Sequence, residues 1–188
     1  MNAAEMVTAL KQKFGEAVHS SVEFRGEQTL NVSLASLKQV LRYSRDELRF
    51  DYLVDVSSLD HMGEEPRFEM VYELYGYSHS QHLRVKAKVA EDASVPTVSD
   101  LWATADWHER EVYDMMGIDF EGHPDLRRIL MWEGFPFFPL RKDFPLEGKS
   151  SDVMDVAFTG VAPMADGPFV TSAGGKDTVA REPRARNP

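Results

Sequence analysis

Two histidine-bearing stretches and one glycine pair have residue types that could do chemistry, and each fails on spacing or on its surroundings. His108-Glu109 begins like a zinc-protease helix, but that motif places a second histidine four residues after the first, so that both imidazoles share one face. Position 112 is Val, which leaves His108 and Glu109 as a helix polar face. His79 and His82 stand three apart around a Ser-His-Ser-Gln connection with no carboxylate close by, and they read as solvated turn histidines. Gly174-Gly175-Lys176 would need an earlier glycine at position 170 and a hydroxyl residue at 177 to cradle phosphate; these positions are Val and Asp. None of the 12 glycines forms a Gly-x-Gly, so the dinucleotide fingerprint is missing. With no cysteine, the chain has no thiolate for zinc, for an iron–sulfur cluster or for nucleophilic attack.

The informative stretch runs from Trp107 to Leu146. Glu109, Arg110, Glu111 and Asp114 fall within two helical turns, where Arg110 can pair with Asp106 or Asp114 at i±4 for only ~0.2–0.5 kcal/mol. Farther on, Arg127-Arg128 and Arg141-Lys142-Asp143 sit among Trp132, Phe135, Phe137, Phe138 and Phe144, with Gly122, Gly134 and four prolines between Phe120 and Leu146. Neither a helix nor a central strand tolerates that proline density. A segment without a regular ladder must satisfy its backbone groups elsewhere, and its aromatics must be covered. Arginine beside large aromatics is also the composition of interface anchors. The expectation is therefore that partner polypeptides cover this stretch, the competing reading being a solvated loop with salt bridges.

The elements that must position this stretch follow from periodicity. Met6, Val7, Leu10 and Phe14 mark a helix over 1–17, with Asn2 available as its cap. Runs over 18–24 and 29–34 flank Gly26 as a hairpin. Ser36 can cap a helix bearing Leu37, Val40 and Leu41, and 50–59 reads as a strand ending in a turn at Gly63. Alternation at 68–76 and 83–89 gives a second hairpin. A helix from Asp100 to Met116 carries Leu101, Ala105, His108 and Val112 on one stripe, and Gly117 stops it. The order predicts an α+β domain over 1–149: a mainly antiparallel sheet with helices packed on one face, followed by the irregular Pro/aromatic segment. After Leu146 there is no further Leu or Ile. Residues 150–188 therefore read as an extended tail too poor in apolar groups to order alone, with Lys176, Arg181, Arg184 and Arg186 near its end suited to an acidic partner.

Composition narrows the function classes. Lys and Arg total 21 against 31 Asp and Glu, a net charge of −10, which disfavours a nucleic-acid partner. The apolar runs are far short of the ~20 residues needed to cross a bilayer, so direct membrane insertion is not expected. The N-terminal segment lacks the apolar stretch of a signal peptide, which suggests a bacterial cytosolic location.

The segments Glu109-Arg110-Glu111-Val112-Tyr113-Asp114-Met115-Met116-Gly117-Ile118, Gly122-His123-Pro124-Asp125-Leu126-Arg127-Arg128-Ile129-Leu130 and Pro139-Leu140-Arg141-Lys142-Asp143-Phe144-Pro145-Leu146 together resemble the 30 kDa subunit family of respiratory complex I. In bacteria this is the C-type subunit of the proton-translocating NADH:quinone oxidoreductase. The agreement lies in the order and spacing of charged, aromatic and glycine positions over 109–146; the preceding residues fit the family's length and character without a sharp motif. The resemblance implies a cofactor-free, non-catalytic subunit of a multisubunit enzyme that moves electrons from NADH through FMN and Fe-S clusters, held in partner subunits, to quinone with proton translocation. It implies packing beside the 49 kDa (D-type) subunit and the Fe-S-bearing (B- and I-type) subunits at the cytoplasmic face of the bacterial inner membrane. It assigns no catalytic residue. Glu109, Arg110, Glu111, Tyr113, Asp114, His123, Pro124, Arg127, Arg128, Arg141, Lys142 and Asp143 become structural or interface residues. The tail, 150–188, matches nothing recognisable. Two related readings are the equivalent subunit of a membrane-bound nickel–iron hydrogenase of the formate hydrogenlyase type and that of a ferredoxin-fed cyanobacterial or plastid complex. A free-standing hydrolase using His108 is the different-class alternative.

Overall fold

The computed structural model describes residues 3–132 and 134–145; Asn2 as a cap, Leu146 and the predicted tail lie outside them. Helix α1 (Ala3–Phe14) buries Met6, Val7 and Leu10 and passes through a 3-10 turn into strand β1 (Val18–Phe24), which pairs antiparallel with β2 (Glu27–Val32) across Gly26. Gly26 has φ +84°, a backbone that glycine adopts without penalty and that the hairpin turn requires. A second 3-10 turn takes up Leu34, so β2 ends two residues before the alternation suggests. Helix α2 (Leu37–Asp46) buries Leu37, Val40 and Leu41, and Ser36 makes no side-chain capping bond, contrary to the sequence expectation. The reason lies in its backbone, which is already helical (φ −104°, ψ −3°) where a capping residue needs an extended one.

Strands β3 (Tyr52–Asp60), β4 (Phe68–Gly76) and β5 (Gln81–Val89) complete a five-stranded sheet ordered β1-β2-β5-β4-β3. All pairings are antiparallel except β2 with β5, which is parallel because the chain crosses over through α2, β3 and β4 before returning. The fold is thus the predicted α+β class, with one parallel pair that alternation cannot reveal. Leu30, Val56, Tyr72 and Val85 point to the helix-covered face and are buried. On the other face His82, Arg84, Lys86 and Lys88 of β5 form a basic column, which Glu73 and Glu27 meet at Arg84 and Glu69 meets at Lys86. Such a column on one strand flanked by carboxylates on its neighbours is a polar sheet surface stabilised by cross-strand pairs.

The last helix, α3 (Ala105–Met116), is shorter than predicted. Residues 99–104 form turns instead, with the Leu101 and Trp102 amides both donating to the Val98 carbonyl. Asp100 is held by Lys38 at 2.8 Å and Arg42 at 3.2 Å on α2, and Val98, Leu101 and Trp102 are buried, so tertiary anchoring overrides helical periodicity there. A small parallel pair, β6 (Val95–Pro96) with β7 (Phe120–Glu121), closes the loop around α3 and is not legible in the sequence. His79 is not a solvated turn residue. It is half-buried, its ring stacks edge-on against Phe50, and Nε2 lies 3.0 Å from the Leu48 carbonyl. His82 is exposed, as expected.

Candidate functional site: the arginine and aromatic clasp on the last helix

A helix leaves its last four carbonyls without intrahelical partners, and their negative partial charge favours cations nearby. In α3 each of the four finds a donor. Gly117, left-handed at φ +72°, donates to Tyr113 at 2.9 Å; Arg128 Nη1 donates to Asp114 at 3.0 Å; the Leu140 amide donates to Met115 at 3.1 Å; and Arg141 Nε donates to Met116 at 2.6 Å. Three of these donors come from the irregular segment, which therefore folds back as the C-terminal cap of α3.

Asp114 and Arg110 take hold of the same segment from the helix side. The fully buried Asp114 carboxylate accepts, on one oxygen, the consecutive amides of Ile129 (3.0 Å), Leu130 (2.7 Å) and Met131 (2.8 Å). Its other oxygen accepts Arg128 Nη1 at 2.6 Å. Successive backbone N–H groups converging on a carboxylate make an anion nest. Burial by itself would push the Asp114 carboxyl up, but the Met131 and Leu130 amides, the Arg128 guanidinium and the Ile129 amide outweigh it and hold the group below the usual carboxylate range. Arg110 does not pair with Asp106 or Asp114 as predicted. It stacks over Trp107 at 5.1 Å and donates to the Arg127 and Arg128 carbonyls at 3.2 and 3.4 Å, so one helix binds both the amides and the carbonyls of the passing strand.

Arg128 extends the clasp by donating to the Phe137 carbonyl at 3.2 Å while lying over the Phe138 ring at 5.1 Å. Arg141 lies between Phe138 (4.5 Å) and Phe68 (5.2 Å) and reaches Glu91 at 3.0 Å. The Lys142 amide and the Asp143 carboxylate anchor the segment to β3 and to Arg67, just before β4. Lys142 N donates to the buried Asp60 carboxylate at 2.8 Å, and Asp143 lies 3.3 Å from Arg67, whose guanidinium also forks onto Asp60 with two bonds of 2.8 Å. Trp132, Phe135, Phe137 and Phe144 stack consecutively at 5.7–5.8 Å between centroids. The aromatics are thus covered in large part by this chain's own arginines and by one another.

Glu109 is not on a polar face. It has no exposed surface, and its two oxygens accept the Val98 amide at 2.7 Å and the Thr97 hydroxyl at 2.5 Å. Burial, the largest influence, raises its carboxyl pKa above the ordinary value despite those two donors and nearby His123. His123, also wholly buried at its side chain, accepts the Asp125 amide on Nδ1 at 3.0 Å; Nε2 must then carry the proton that it donates to the Asp106 carbonyl at 3.1 Å. His108 is half-buried off the apolar stripe, with Nδ1 at 3.2 Å from Asp55. Among the remaining signature residues, Tyr113 is half-buried against the core, whereas Glu111, Pro124, Arg127, Lys142 and Asp143 are exposed. Among the described residues, no group of three or more His, Asp or Glu side chains lies at metal-binding spacing.

The opposite pKa directions of Glu109 and Asp114 make a testable pair. A carboxyl whose folded pKa is raised binds protons more tightly folded than unfolded, so its contribution to stability is lost as pH rises from the ordinary value near 4.5 through the folded pKa. Glu109→Gln removes that titration while keeping an acceptor for Val98. The melting temperature of this variant relative to the parent is expected to improve as pH is raised from about 4.5 to about 7, and a difference flat with pH would refute the assignment.

The comparisons with known proteins fall on the residues of this clasp and the sheet behind it. Residues 30–150 match the family model described as respiratory-chain NADH dehydrogenase, 30 Kd subunit. The chain is 47% identical over 144 residues to the C 2 subunit of the NADH-quinone oxidoreductase of Rhizobium meliloti, covering 76% of this chain and 79% of the relative. It is 46% identical over 143 residues to the corresponding C-type subunit of Citrifermentans bemidjiense, covering 76% and 89%. Among solved structures, a chain of the membrane-bound sulfane sulfur reductase, an archaeal respiratory membrane complex, superimposes with TM-score 0.67 at 25% identity, covering 76% of this chain and 85% of the other. No helix among the described residues is long and apolar enough to cross a membrane. With the signature residues folded into one clasp and the match spanning most of the sheet and the whole clasp, the chain belongs to the 30 kDa subunit family of respiratory-chain NADH dehydrogenase.

Proposed function

We propose that the chain serves as a cofactor-free brace in the peripheral arm of a proton-translocating NADH:quinone oxidoreductase, binding beside the 49 kDa subunit and the Fe-S-bearing subunits on the cytoplasmic face of the bacterial inner membrane. FMN and the Fe-S clusters belong to those partners, and no residue of this chain donates or accepts a proton or electron in the reaction. The observation that carries the reading is the division of labour within the signature. Arg110, Asp114, Arg128 and Arg141 saturate backbone groups of their own chain, which makes an irregular surface rigid. The exposed Glu111, Pro124, Arg127, Lys142 and Asp143 stand on that surface where a partner can meet them. A rigid face with little left to order on binding loses less entropy on association. Residues 150–188, which lie outside the described residues, have the part of a partner-wrapping tail in this reading.

The likeness to a chain of the archaeal sulfane sulfur reductase, a respiratory membrane complex, supports a second reading, in which the module serves a membrane complex other than an NADH dehydrogenase; a hydrogenase of the formate hydrogenlyase kind is the form of it put to the test. Affinity isolation of the tagged chain from its native membranes decides between them: an NADH-binding flavoprotein among the co-purified subunits supports the first reading, and a nickel-binding large subunit the second. The purified chain alone is expected to show neither flavin nor iron–sulfur absorption. The exposed set makes a further prediction. Arg127, exposed and among the described residues ion-paired to Asp125 on the surface, contributes within about 0.5 kcal/mol to the fold; the double variant Arg127→Ala with Lys142→Ala should therefore melt like the parent yet enter the complex less completely. Normal incorporation on native gels would remove these two side chains from the interface.

A further inference from the structure

Strand β3 is one of the two outer strands of the sheet, the other being β1, and among the described residues β4 is its only paired neighbour. Over nine residues it carries neither proline nor a basic side chain, two of the devices that blunt a free edge, and after a register shift between Leu53 and Asp55 residues 55–60 pair regularly with β4. Beside it runs a shallow open groove of about 150 Å³ between β3 and α3, lined by Val112, Met115 and the exposed Leu140 and bordered by Ser57 and Ser58. Its polar rim is acidic: Asp55 on the strand and Glu111 on the helix, the latter without an ion-pair partner among the described residues. Val54 and Leu59, 40% and 44% exposed, lie on the same edge strand.

We propose that this edge and groove receive an extended segment of a neighbouring subunit, which adds to β3 as a sixth strand and carries apolar side chains alternating with Lys or Arg. An edge strand supplies a row of backbone donors and acceptors, which gives affinity, while the groove and its carboxylates select the side chains. The period of two along the incoming strand sends alternate side chains to the Val112–Met115 floor and to the sheet's outer side, and the acidic rim favours cations over carboxylates there. A second copy of this chain fits poorly on charge, since β3 itself offers only Asp55 and Asp60 as charged groups. The inference rests on the proposed role as a complex subunit and names the surface that role uses.

A genetically encoded photocrosslinker in place of Ser57 or Ser58, introduced in the full chain in its host and followed by affinity isolation and peptide mapping, tests it. The expected result is a single adduct to another subunit within an extended stretch that contains Lys or Arg. Co-purification of the partner subunits without an adduct at either position, or an adduct to a helix, to a second copy or to residues 146–188 of this chain, overturns the strand-addition proposal while leaving the subunit role standing. Failure of any subunit to co-purify would instead remove that role, and this inference with it. A positive edge gives a second readout: Ser57→Lys should lower the chain's recovery in the complex by roughly fivefold or more with its melting temperature kept, and undiminished recovery speaks against the proposal.

Discussion

Asp114→Ala is expected to lower the stability of the chain by about 3–5 kcal/mol, the cost typical of removing one partner from a buried charged pair. The cost comes from groups left unpaired. The substitution removes the acceptor of three consecutive amides at 129–131 and the counter-charge of Arg128, whose side chain is 14% exposed. Arg128 keeps its bonds to the carbonyls of residues 114 and 137, so the helix end is not wholly uncapped, but the guanidinium then lacks an anion. Thermal unfolding followed by circular dichroism should show a drop on the order of 10 °C for a chain of this size. Asp114→Asn is the sharper comparison, because it retains the volume and one acceptor oxygen while presenting an amide NH2 donor toward donors. The pH dependence has a definite sign. The Asp114 pKa is depressed in the folded state, so its stabilisation is present above the ordinary aspartate pKa and is lost as pH falls through the folded value. The gap between parent and Asp114→Ala should therefore narrow on acidification below about pH 4. A variant that melts within about 2 °C of the parent at neutral pH would show that the nest contributes little.

Gly117→Val should be the second most damaging single change, at about 3–5 kcal/mol, for two reasons that act together. The residue sits at φ +72°, where a β-branched side chain is strained. A Cβ there would also lie 2.6 Å from two Phe138 ring carbons and 2.8 Å from Arg141 Nη2. The ring and the guanidinium are the cover and the cap of the helix end, so making room for the new side chain displaces the contact that holds Met116 O. Gly117→Ala separates the two costs, since it keeps the clash and imposes less backbone strain. Loss of soluble protein for Val, with an intermediate melting temperature for Ala, is the expected pattern. If Val is tolerated like Ala, the close approach of Phe138 does not constrain this position.

Both predictions concern residues whose presence is plain in the sequence and whose partners are not. From sequence, Arg128 and Arg141 read as anchors for other polypeptides, because an irregular aromatic segment has to satisfy its backbone somewhere. That need is real, yet a large part of the answer lies within the chain, on α3 and on Asp60 and Arg67. One signal points that way: Gly117 predicts where α3 ends, four carbonyls are then left open, and arginines downstream are the natural cations for that end. Glu109 is misplaced by periodicity for a related reason. A carboxylate inside a helical stripe reads as a polar face, and only the Thr97–Val98 turn, brought over it by the β6–β7 pairing, makes its burial tolerable. Helical spacing between Leu101 and Ala105 likewise starts α3 five residues early, whereas α2 ties down Asp100 beside it.

Local choices are legible in the order of residues: the two hairpins, α1 and α2, the stop at Gly117, the irregular segment after it, and the family written in residues 109–146. These depend on side-chain period, on glycine and proline geometry, and on the spacing of rare residues, all of which are local along the chain. Tertiary structure alone decided that β2 runs parallel to β5, that Glu109 and Asp114 are buried acceptors with opposite pKa directions, and that the basic residues at 128 and 141 cap a helix of their own chain. Each of those facts depends on groups about ten or more residues apart meeting at hydrogen-bond distance, and no periodicity encodes which distant donor reaches which acceptor.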